Sequence, residues 1–207
     1  MFYHKTRRGM VAGLASFLGS AVLIRHARAA LPTTDAAEGP FYPTKPMRLS
    51  DTDNDLVKVY GLVRQAGREV LTLKGRLTNR NGSPLAGLRI EIWQCDNNGK
   101  YLHSGDHQTV AYDSGFQGFG HDITDDNGRY SFRTIVPAKY PGRTPHIHVK
   151  ILDNDRELLT TQFYLKDNPG NARDGLFRSM SKSEAASVSM ALRDGPDGRE
   201  TTVNIVL

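Results

Sequence analysis

Short runs of alternating apolar and polar residues make up most of the chain beyond residue 70, and they are rich in β-branched and aromatic side chains. Alternation with a period of two is typical of a strand that has one buried face. The predicted strands are Val70–Leu77, Leu88–Gln94, Tyr130–Ile135, His146–Leu152, Leu158–Leu165 and Thr202–Val206. Turn-forming residues separate several of them, at Asn81-Gly82, Asn98-Gly99, Asp126-Asn127-Gly128 and Asp153-Asn154-Asp155.

One segment, Ser181–Leu192, has the pattern of a helix. Ser181 and Glu184 form a capping box at its start, and Gly195-Pro196 follows its end. The strands recur at a spacing of about ten residues, which is typical of a sandwich of two sheets. The sequence therefore predicts an all-β protein, with a single β-sandwich domain over residues 30–207 that carries a short C-terminal helix.

The first 29 residues have a different pattern. A basic stretch ending in Arg7-Arg8 precedes the uncharged run Gly9–Ile24, and the small residues of Ala27-Arg28-Ala29 then form a cleavage pattern. Paired arginines before a mildly apolar run are typical of a twin-arginine signal peptide. The run is shorter than the about 20 residues of a membrane span. We therefore expect an export signal, a periplasmic or secreted protein and no stable membrane anchor.

The net charge of +5 comes from this leader. It contains no acidic residue and five basic ones, Lys5, Arg7, Arg8, Arg25 and Arg28. The remaining 22 basic residues equal the 22 acidic residues, so the rest of the chain lacks the basic footprint of a nucleic-acid-binding protein. No nucleic-acid partner is expected. Cys95 is the single cysteine, so the chain forms no internal disulfide.

Two histidines on one predicted strand have the spacing of metal ligands. His146 and His148 are two residues apart, so both side chains project from the same face of the strand. A pair of histidines with this spacing is partly exposed and binds no metal about as often as it binds one. Further histidines could complete a copper or zinc site, namely His103, His107 and His121. Tyr101 and Tyr140 offer instead anionic oxygens that suit a trivalent iron, and the residues alone leave both alternatives open.

A series of motifs resembles one enzyme family. The chain contains Trp93-x-x-x-Asn97-x-x-Gly99-x-Tyr101, then Asp126-Asn127-Gly128-x-Tyr130-x-Phe132-Arg133-Thr134-Ile135-x-Pro137-x-x-Tyr140-Pro141, then Arg143-x-Pro145-His146-Ile147-His148. Glu38-Gly39-Pro40-Phe41-Tyr42 precedes them and Thr161-Gln162-Phe163-Tyr164 follows them. In this order, from about Glu38 to Lys166, they resemble the intradiol ring-cleavage dioxygenases, which include catechol 1,2-dioxygenases and protocatechuate 3,4-dioxygenases.

The resemblance implies a single non-haem Fe(III) ion. Its implied ligands are Tyr101, Tyr140, His146 and His148. Arg143 and Gln162 match the family's arginine and glutamine beside the bound substrate, and Tyr140 has a second role, accepting a proton from the substrate as it leaves the iron. The implied partners are a catechol-type substrate and O2. The implied reaction cleaves the ring between the two hydroxylated carbons to give a muconate-type diacid, without an organic cofactor.

One departure from the family concerns the substrate pocket. Only five residues, Pro141–Pro145, separate Tyr140 from His146, where well-studied members carry a longer insertion. A wider pocket is expected, shaped by residues after Tyr101, namely His103, His107, Phe116 and Phe119. The sequence leaves open a homo-oligomer.

Two other classes of protein remain open on the sequence. The run Gly82–Leu88, followed by Asp126–Phe132, also occurs in transthyretin-like modules, which bind ligands without catalysis. An exported copper or zinc protein is the second alternative. The combination of Tyr101, Tyr140, His146 and His148 distinguishes the dioxygenase, because neither alternative requires all four.

Overall fold

A computed structural model describes residues 29–63 and 65–207. The predicted export signal, residues 1–29, lies outside the described residues except for Ala29. Within the described part of the chain, no helix is long and apolar enough to cross a membrane.

The described chain forms ten strands and two short α-helices. The strands are β1 (Val70–Thr78), β2 (Arg89–Trp93), β3 (Phe119–Ile123), β4 (Arg129–Ile135), β5 (His146–Asp153), β6 (Arg156–Leu165), β7 (Ser189–Met190), β8 (Arg193–Gly195), β9 (Gly198–Thr202) and β10 (Ile205–Val206). The helices are α1 (Gly175–Ser179) and α2 (Lys182–Ser187), and 3₁₀ helices cover Lys45–Met47 and Pro169–Arg173.

The strands form two five-stranded sheets. In the first sheet, β1 pairs antiparallel with β4 on one side and parallel with β9 and β10 on the other, and β8 pairs with β9. The second sheet has the order β3-β2-β5-β6-β7 and is antiparallel except for the pair β6-β7. This arrangement agrees with the predicted all-β sandwich.

Apolar side chains from both sheets form one core. The most completely buried of them, at most 1% exposed, include Leu71, Leu73, Leu77, Ile90, Ile92, Phe132, Ile147, Val149, Ile151 and Phe163. In β5 the core residues alternate with His146, His148 and Lys150, which therefore project from the outer face of the second sheet. The two histidines are nevertheless buried on that outer face, where Trp93, Tyr101 and the backbone at Gly39 lie against them.

The structure confirms five of the six predicted strands, with ends that differ by two residues or fewer. The sixth, Thr202–Val206, is divided between β9 and β10. Val203 lies between them, and its carbonyl faces Gly75 of β1 so closely that a Cβ at Gly75 would lie 1.8 Å from the carbonyl oxygen. The parallel pairing to β1 is interrupted at this point and resumes at Leu77.

The predicted helix Ser181–Leu192 is shorter than expected. The capping box of Ser181 and Glu184 is present, and α2 begins at Lys182, directly after Ser181. The helix ends at Ser187, because the next residues form β7 and pair in parallel with the end of β6. Val188 and Met190 are buried in the core, so apolar residues that a helix would have presented on one face are used by a strand.

Candidate metal centre

A row of side chains crosses the outer face of the second sheet. Trp93 of β2 is in register with His148 of β5, and His148 is in register with Gln162 of β6. His146 pairs with Tyr164 in the neighbouring row. Strand register thus places Trp93, His148 and Gln162 in one row and His146 and Tyr164 in the next. All five belong to the dioxygenase motifs.

A tight turn after β2 places Tyr101 over this row. The Asp96 carboxylate accepts hydrogen bonds from the backbone N–H groups of Asn98 and Lys100, at 2.8 and 2.9 Å. Gly99 has φ +75°, and a Cβ there would lie 2.6 Å from the carbonyl oxygen of Lys139. Glycine is therefore required both for the conformation and for the close approach of the two loops. Tyr101 follows two residues after Gly99 and is 3% exposed.

Tyr101, His146 and His148 meet at one point. The Tyr101 hydroxyl oxygen lies 3.1 Å from Nε2 of His146 and 3.1 Å from Nε2 of His148, and the two Nε2 atoms are 3.1 Å apart. All three side chains are buried. The three potential donor atoms form a closed triangle, which we call the donor triangle.

The protonation states of the two histidines suit the binding of a metal cation. Nδ1 of His146 donates to the Thr144 carbonyl at 2.7 Å, because a carbonyl can only accept, and Nε2 of a neutral ring therefore carries a lone pair. Burial, with Arg143 nearby, lowers the pKa of His146 to about 4. Burial and the neighbouring His146 lower the pKa of His148 well below its usual value. Both imidazoles are neutral at pH 7, the form that binds metals.

The donor triangle fits an iron ion. Ligands bound side by side to one ion, at about 2.0–2.1 Å, stand about 3 Å apart, as these three atoms do. Imidazole nitrogen suits iron among other transition metals, and a phenolate oxygen adds the negative charge that a trivalent ion favours. Burial raises the pKa of Tyr101 well above its usual value, so a bound cation must displace the phenol proton.

Tyr140 lies beside the triangle and is not part of it. Its ring centroid is 5.2 Å from that of Tyr101, and the residue is half-buried. Burial, with a smaller contribution from Asp106, raises the pKa of Tyr140. The structure therefore brings together three of the four predicted ligands and places the ring of the fourth against that of Tyr101.

Arg143 and Gln162 form a connected pair. Nη2 of Arg143 donates to Oε1 of Gln162 at 2.7 Å, and Tyr164 donates to the same oxygen at 3.0 Å. Nε2 of Gln162 donates to the carbonyl of Ala37 at 2.8 Å, which fixes the orientation of the amide. Nε of Arg143 donates to Asp174 at 2.7 Å. The guanidinium plane is thus held at two of its edges.

Asp174 is a site residue that the sequence did not indicate. Its side chain is fully buried, and it accepts hydrogen bonds from the backbone of Thr144, Leu176 and Phe177 as well as from Arg143. It also caps α1. In the sequence, Asp174 precedes Gly175 and belongs to no recognisable motif. It is 31 residues from Arg143, and no local pattern connects the two.

We expect Asp174 to stabilise the fold above about pH 4. Burial alone would raise its pKa, but the hydrogen bonds from Arg143 and the backbone lower it on balance. A carboxylate with a lowered folded-state pKa stabilises above its unfolded value, and this stabilisation is lost as the pH falls through the folded value. Urea unfolding should show wild type more stable than Asp174→Asn by about 1–3 kcal/mol at pH 7, with a smaller difference at pH 2.5. A difference that grows on acidification would contradict this.

Aromatic residues of the motifs surround the triangle. The rings of Trp93 and His148 stack at 4.8 Å between centroids with an angle of 9°. Phe41 stacks on Tyr101 at 4.9 Å and contacts Tyr140 edge to face. A Cβ on Gly39, which has φ +78°, would lie 3.3 Å from Cε1 of His148. The N-terminal segment and β2 therefore fix both ligand rings by packing, a role that the sequence alone did not assign to them.

The cysteine lies in the same small cluster. Cys95 is buried with Trp93, Tyr101, Phe119 and Ala138. Its thiol donates to the Ala138 carbonyl at 3.6 Å, and burial, with Asp96 nearby, raises the pKa of the thiol to about 12. The thiol is therefore neutral at pH 7.

The expected pocket wall is partly wrong. Phe116 is fully buried in the core between the sheets, and Phe119 is buried beside the Arg48 guanidinium, 3.8 Å from its ring centroid. Phe116 packs inward, whereas Phe119 is in register with Trp93 on the outer face and is buried in the cluster that contains Trp93 and Tyr101. His107 is exposed, and His103 contacts the ring of Phe41 at 5.6 Å.

The histidine-only metal site is not supported. Nδ1 of His121 contacts the Thr52 carbonyl at 2.5 Å, and His103 packs on Phe41, so neither joins His146 and His148. Among residues 29–63 and 65–207, no group of three His, Cys, Asp or Glu side chains could hold a metal. The third atom beside the two imidazole nitrogens is the hydroxyl oxygen of Tyr101.

Comparison with known proteins identifies relatives. A family model described as "Dioxygenase" matches residues 37–207. The chain is 33% identical to the protocatechuate 3,4-dioxygenase beta chain of Burkholderia cepacia over 138 residues, which are 63% of this chain and 59% of the relative. It is 29% identical to a catechol 1,2-dioxygenase of Candida albicans over 123 residues, 51% of this chain and 39% of the relative. The chain thus spans about four to six tenths of these curated relatives.

A solved structure covers more of the chain. The dioxygenase domain of a dioxygenase carbohydrate-binding protein fusion from Streptomyces sp. SirexAA-E is 35% identical, with a TM-score of 0.63, and the match covers 85% of this chain and 97% of that domain. The matched residues include the donor triangle, Tyr140 and the Arg143–Gln162 pair within residues 37–207 of the family model. The chain belongs to the intradiol ring-cleaving dioxygenase family.

Proposed function

We propose that this protein is an Fe(III)-dependent dioxygenase that cleaves the ring of catechol-type compounds between the two hydroxylated carbons. The donor triangle is the single observation that carries the proposal, because a binding module has no use for two buried neutral imidazoles around a phenol. Membership of the family supports the same reaction. Tyr101, His146 and His148 would hold the iron, with Tyr140 as the fourth ligand.

Bound Fe(III) supplies the positive charge that binds a deprotonated catechol and activates its ring toward O2. A catechol loses two protons when both of its oxygens bind a cation. Tyr140 is suited to accept one of them at its phenolate oxygen, because it lies at the edge of the triangle and is half-buried, and the other proton leaves to water. Burial raises the pKa of Tyr140, so its oxygen keeps the proton once it is away from the cation.

Arg143 supplies a fixed positive charge beside the ring. Asp174 and Gln162 hold its guanidinium in place, so no reorganisation is needed as negative charge builds up on the reacting ring. Gln162 is itself fixed through Ala37 and Tyr164. The site thus offers a preorganised cation in a largely buried environment, where electrostatic stabilisation is strong.

The proposed reaction balances without a further reductant. Catechol and O2 combine into one product, the carbon–carbon bond between the two hydroxylated carbons breaks, and both oxygen atoms enter the product. The ring is oxidised, O2 is reduced, and each former hydroxyl carbon becomes part of a carboxyl group. The product is a muconate-type diacid.

Iron content, colour and oxygen uptake test the proposal together. We expect about one iron per chain, a visible absorption band from phenolate-to-Fe(III) charge transfer, and oxygen uptake with at least one member of a panel of catechol, protocatechuate, hydroxyquinol and larger ortho-diphenols. Colourless protein without stoichiometric iron would contradict the proposal, as would a coloured protein that consumes no oxygen with any of them.

The single tryptophan offers an independent measure of iron binding. Trp93 stacks on His148, so its emission is expected to fall by more than half when the ion binds, through energy transfer to the new absorption band. Titration of metal-free protein with iron should reach its end point at one ion per chain. The Tyr112→Phe variant serves as control, because among the described residues the Tyr112 hydroxyl bonds to the Phe116 carbonyl and to no member of the donor triangle. An end point reached without a change in emission would place the ion elsewhere.

A further inference from the structure

A cavity of about 500 Å³ adjoins the metal centre. It lies between the loop that follows β4 and the 3₁₀ helix Pro169–Arg173, and its volume is typical of small-molecule sites. Three cationic side chains line it, Lys139, Arg143 and Arg173, against one carboxylate, Asp174. We call it the basic cavity.

The basic cavity shares residues with the site already described. Arg143 lines it and also donates to Gln162, which is in register with His148. Thr144 lines it as well, and its carbonyl orients His146. The basic cavity and the metal centre therefore share Arg143 and meet at the segment Arg143–Pro145, which leads into His146.

Both oxygens of Asp174, the only carboxylate among the residues that line the cavity, already accept hydrogen bonds from the protein, so this side chain is not available to bind a cationic ligand. Oδ2 of Asp174 accepts from Arg143 and from the Thr144 backbone, and Oδ1 accepts from the N–H groups of Leu176 and Phe177. Its side chain is fully buried. The surplus charge of the cavity wall is therefore positive.

The cations, in contrast, have free donors. Among residues 29–63 and 65–207, Lys139 and Arg173 form no side-chain hydrogen bond or ion pair, and Nη1 of Arg143 has no partner there. Unpaired ammonium and guanidinium groups that face one concave surface attract a carboxylate, and a guanidinium can bind it through two hydrogen bonds.

We propose that the basic cavity is a carboxylate subsite formed by Lys139, Arg143 and Arg173. The inference rests on the proposed ring cleavage for its two sources of ligand. The carboxylate belongs either to a side chain of the catechol or to the ring-opened diacid, which leaves the reaction with two negative charges that its neutral precursor lacks. Both sources present the same chemistry to the same three cations.

Direct binding tests the subsite without reference to turnover. In calorimetry on the iron-loaded protein, cis,cis-muconate is expected to bind, with an affinity that falls as salt is added, and its neutral dimethyl ester is not. The double variant Lys139→Gln/Arg173→Gln should weaken diacid binding about tenfold, since each exposed ion pair contributes modestly. Arg178→Gln, an exposed arginine on α1 outside the cavity, should match wild type. Equal diacid binding by wild type and the double variant would overturn the proposal.

Steady-state kinetics distinguishes the two sources. The matched pair is 3-(3,4-dihydroxyphenyl)propanoate and its methyl ester. If the substrate's carboxylate occupies the cavity, the ratio of kcat/KM for acid over ester falls about tenfold in the double variant. If the product does, this ratio holds and the inhibition constant for muconate rises instead. If neither changes, the subsite is rejected.

The two proposals fail in different ways. If the protein binds the diacid in the manner expected but consumes no oxygen with any catechol, the subsite is supported and the proposed function is contradicted. If the protein cleaves catechols but its diacid binding does not depend on Lys139 and Arg173, the proposed function is supported and the subsite is contradicted.

Discussion

Replacing Tyr101 with phenylalanine is expected to remove iron binding and activity while leaving the protein folded. The substitution deletes the only oxygen of the donor triangle and leaves two neutral imidazoles in a buried site. Loss of a partner that merely orients a ligand costs about 10–100-fold in metal affinity or activity, so loss of a ligand should exceed 100-fold. Within residues 29–63 and 65–207 the Tyr101 hydroxyl bonds only to the two histidines, so the free energy of unfolding should change by about 1 kcal/mol or less.

Iron content, the visible band and oxygen uptake measure this effect. Tyr130→Phe is the matched control, because Tyr130 is equally buried and donates to the Val203 carbonyl at 2.6 Å, away from the triangle. It should lose about 1 kcal/mol of stability and keep both iron and turnover. Stoichiometric iron with an unchanged band in Tyr101→Phe would remove Tyr101 from the ligand set.

Replacing Arg143 with glutamine is expected to lower kcat/KM for catechols about 100–1,000-fold, the effect of losing one preorganised electrostatic group. Iron and its absorption band should remain, since Arg143 contacts no member of the donor triangle by a hydrogen bond. Arg143→Lys should not restore activity, because one ammonium cannot reproduce the planar fork that joins Asp174 to Gln162.

The stability of these variants must be measured alongside their kinetics. Asp174 loses a charged partner in Arg143→Gln, at a cost of about 1–3 kcal/mol. Arg133→Gln is the control, because Arg133 lies on β4 of the first sheet, not on the sheet of the donor triangle, and bonds to Asp55 in a loop. It should retain wild-type turnover. The role of Arg143 would be disproved if its variants kept kcat/KM within threefold of wild type, or if activity declined only in proportion to iron content.

Local sequence predicted the parts of the site that strands control. Alternation along β5 is sufficient to place His146 and His148 on one face, opposite Ile147 and Val149. The Asn98-Gly99 turn is equally local, and it delivers Tyr101. These features depend on a few neighbouring residues, which is why the sequence alone defines them.

Other features depend on contacts between distant segments. Asp174 meets Arg143 only because two irregular loops close on each other, and no periodicity encodes that contact. Residues Ser189–Met190 continue an apolar helical pattern, yet pairing with β6 makes them a strand. Phe41 packs on Tyr101 from a segment without regular structure. In each case the structure is determined by packing between distant segments, which the local sequence pattern does not encode.

The buried thiol of Cys95 has a consequence for handling the protein in air. Burial raises its pKa to about 12, so the thiol stays protonated at pH 7, and it is the thiolate that reacts with peroxides and disulfides. Sulfenic acid formation and mixed disulfides are therefore suppressed, although the sulfur lies next to a centre proposed to consume oxygen. The protein should keep its sulfhydryl through repeated turnover without added reductant.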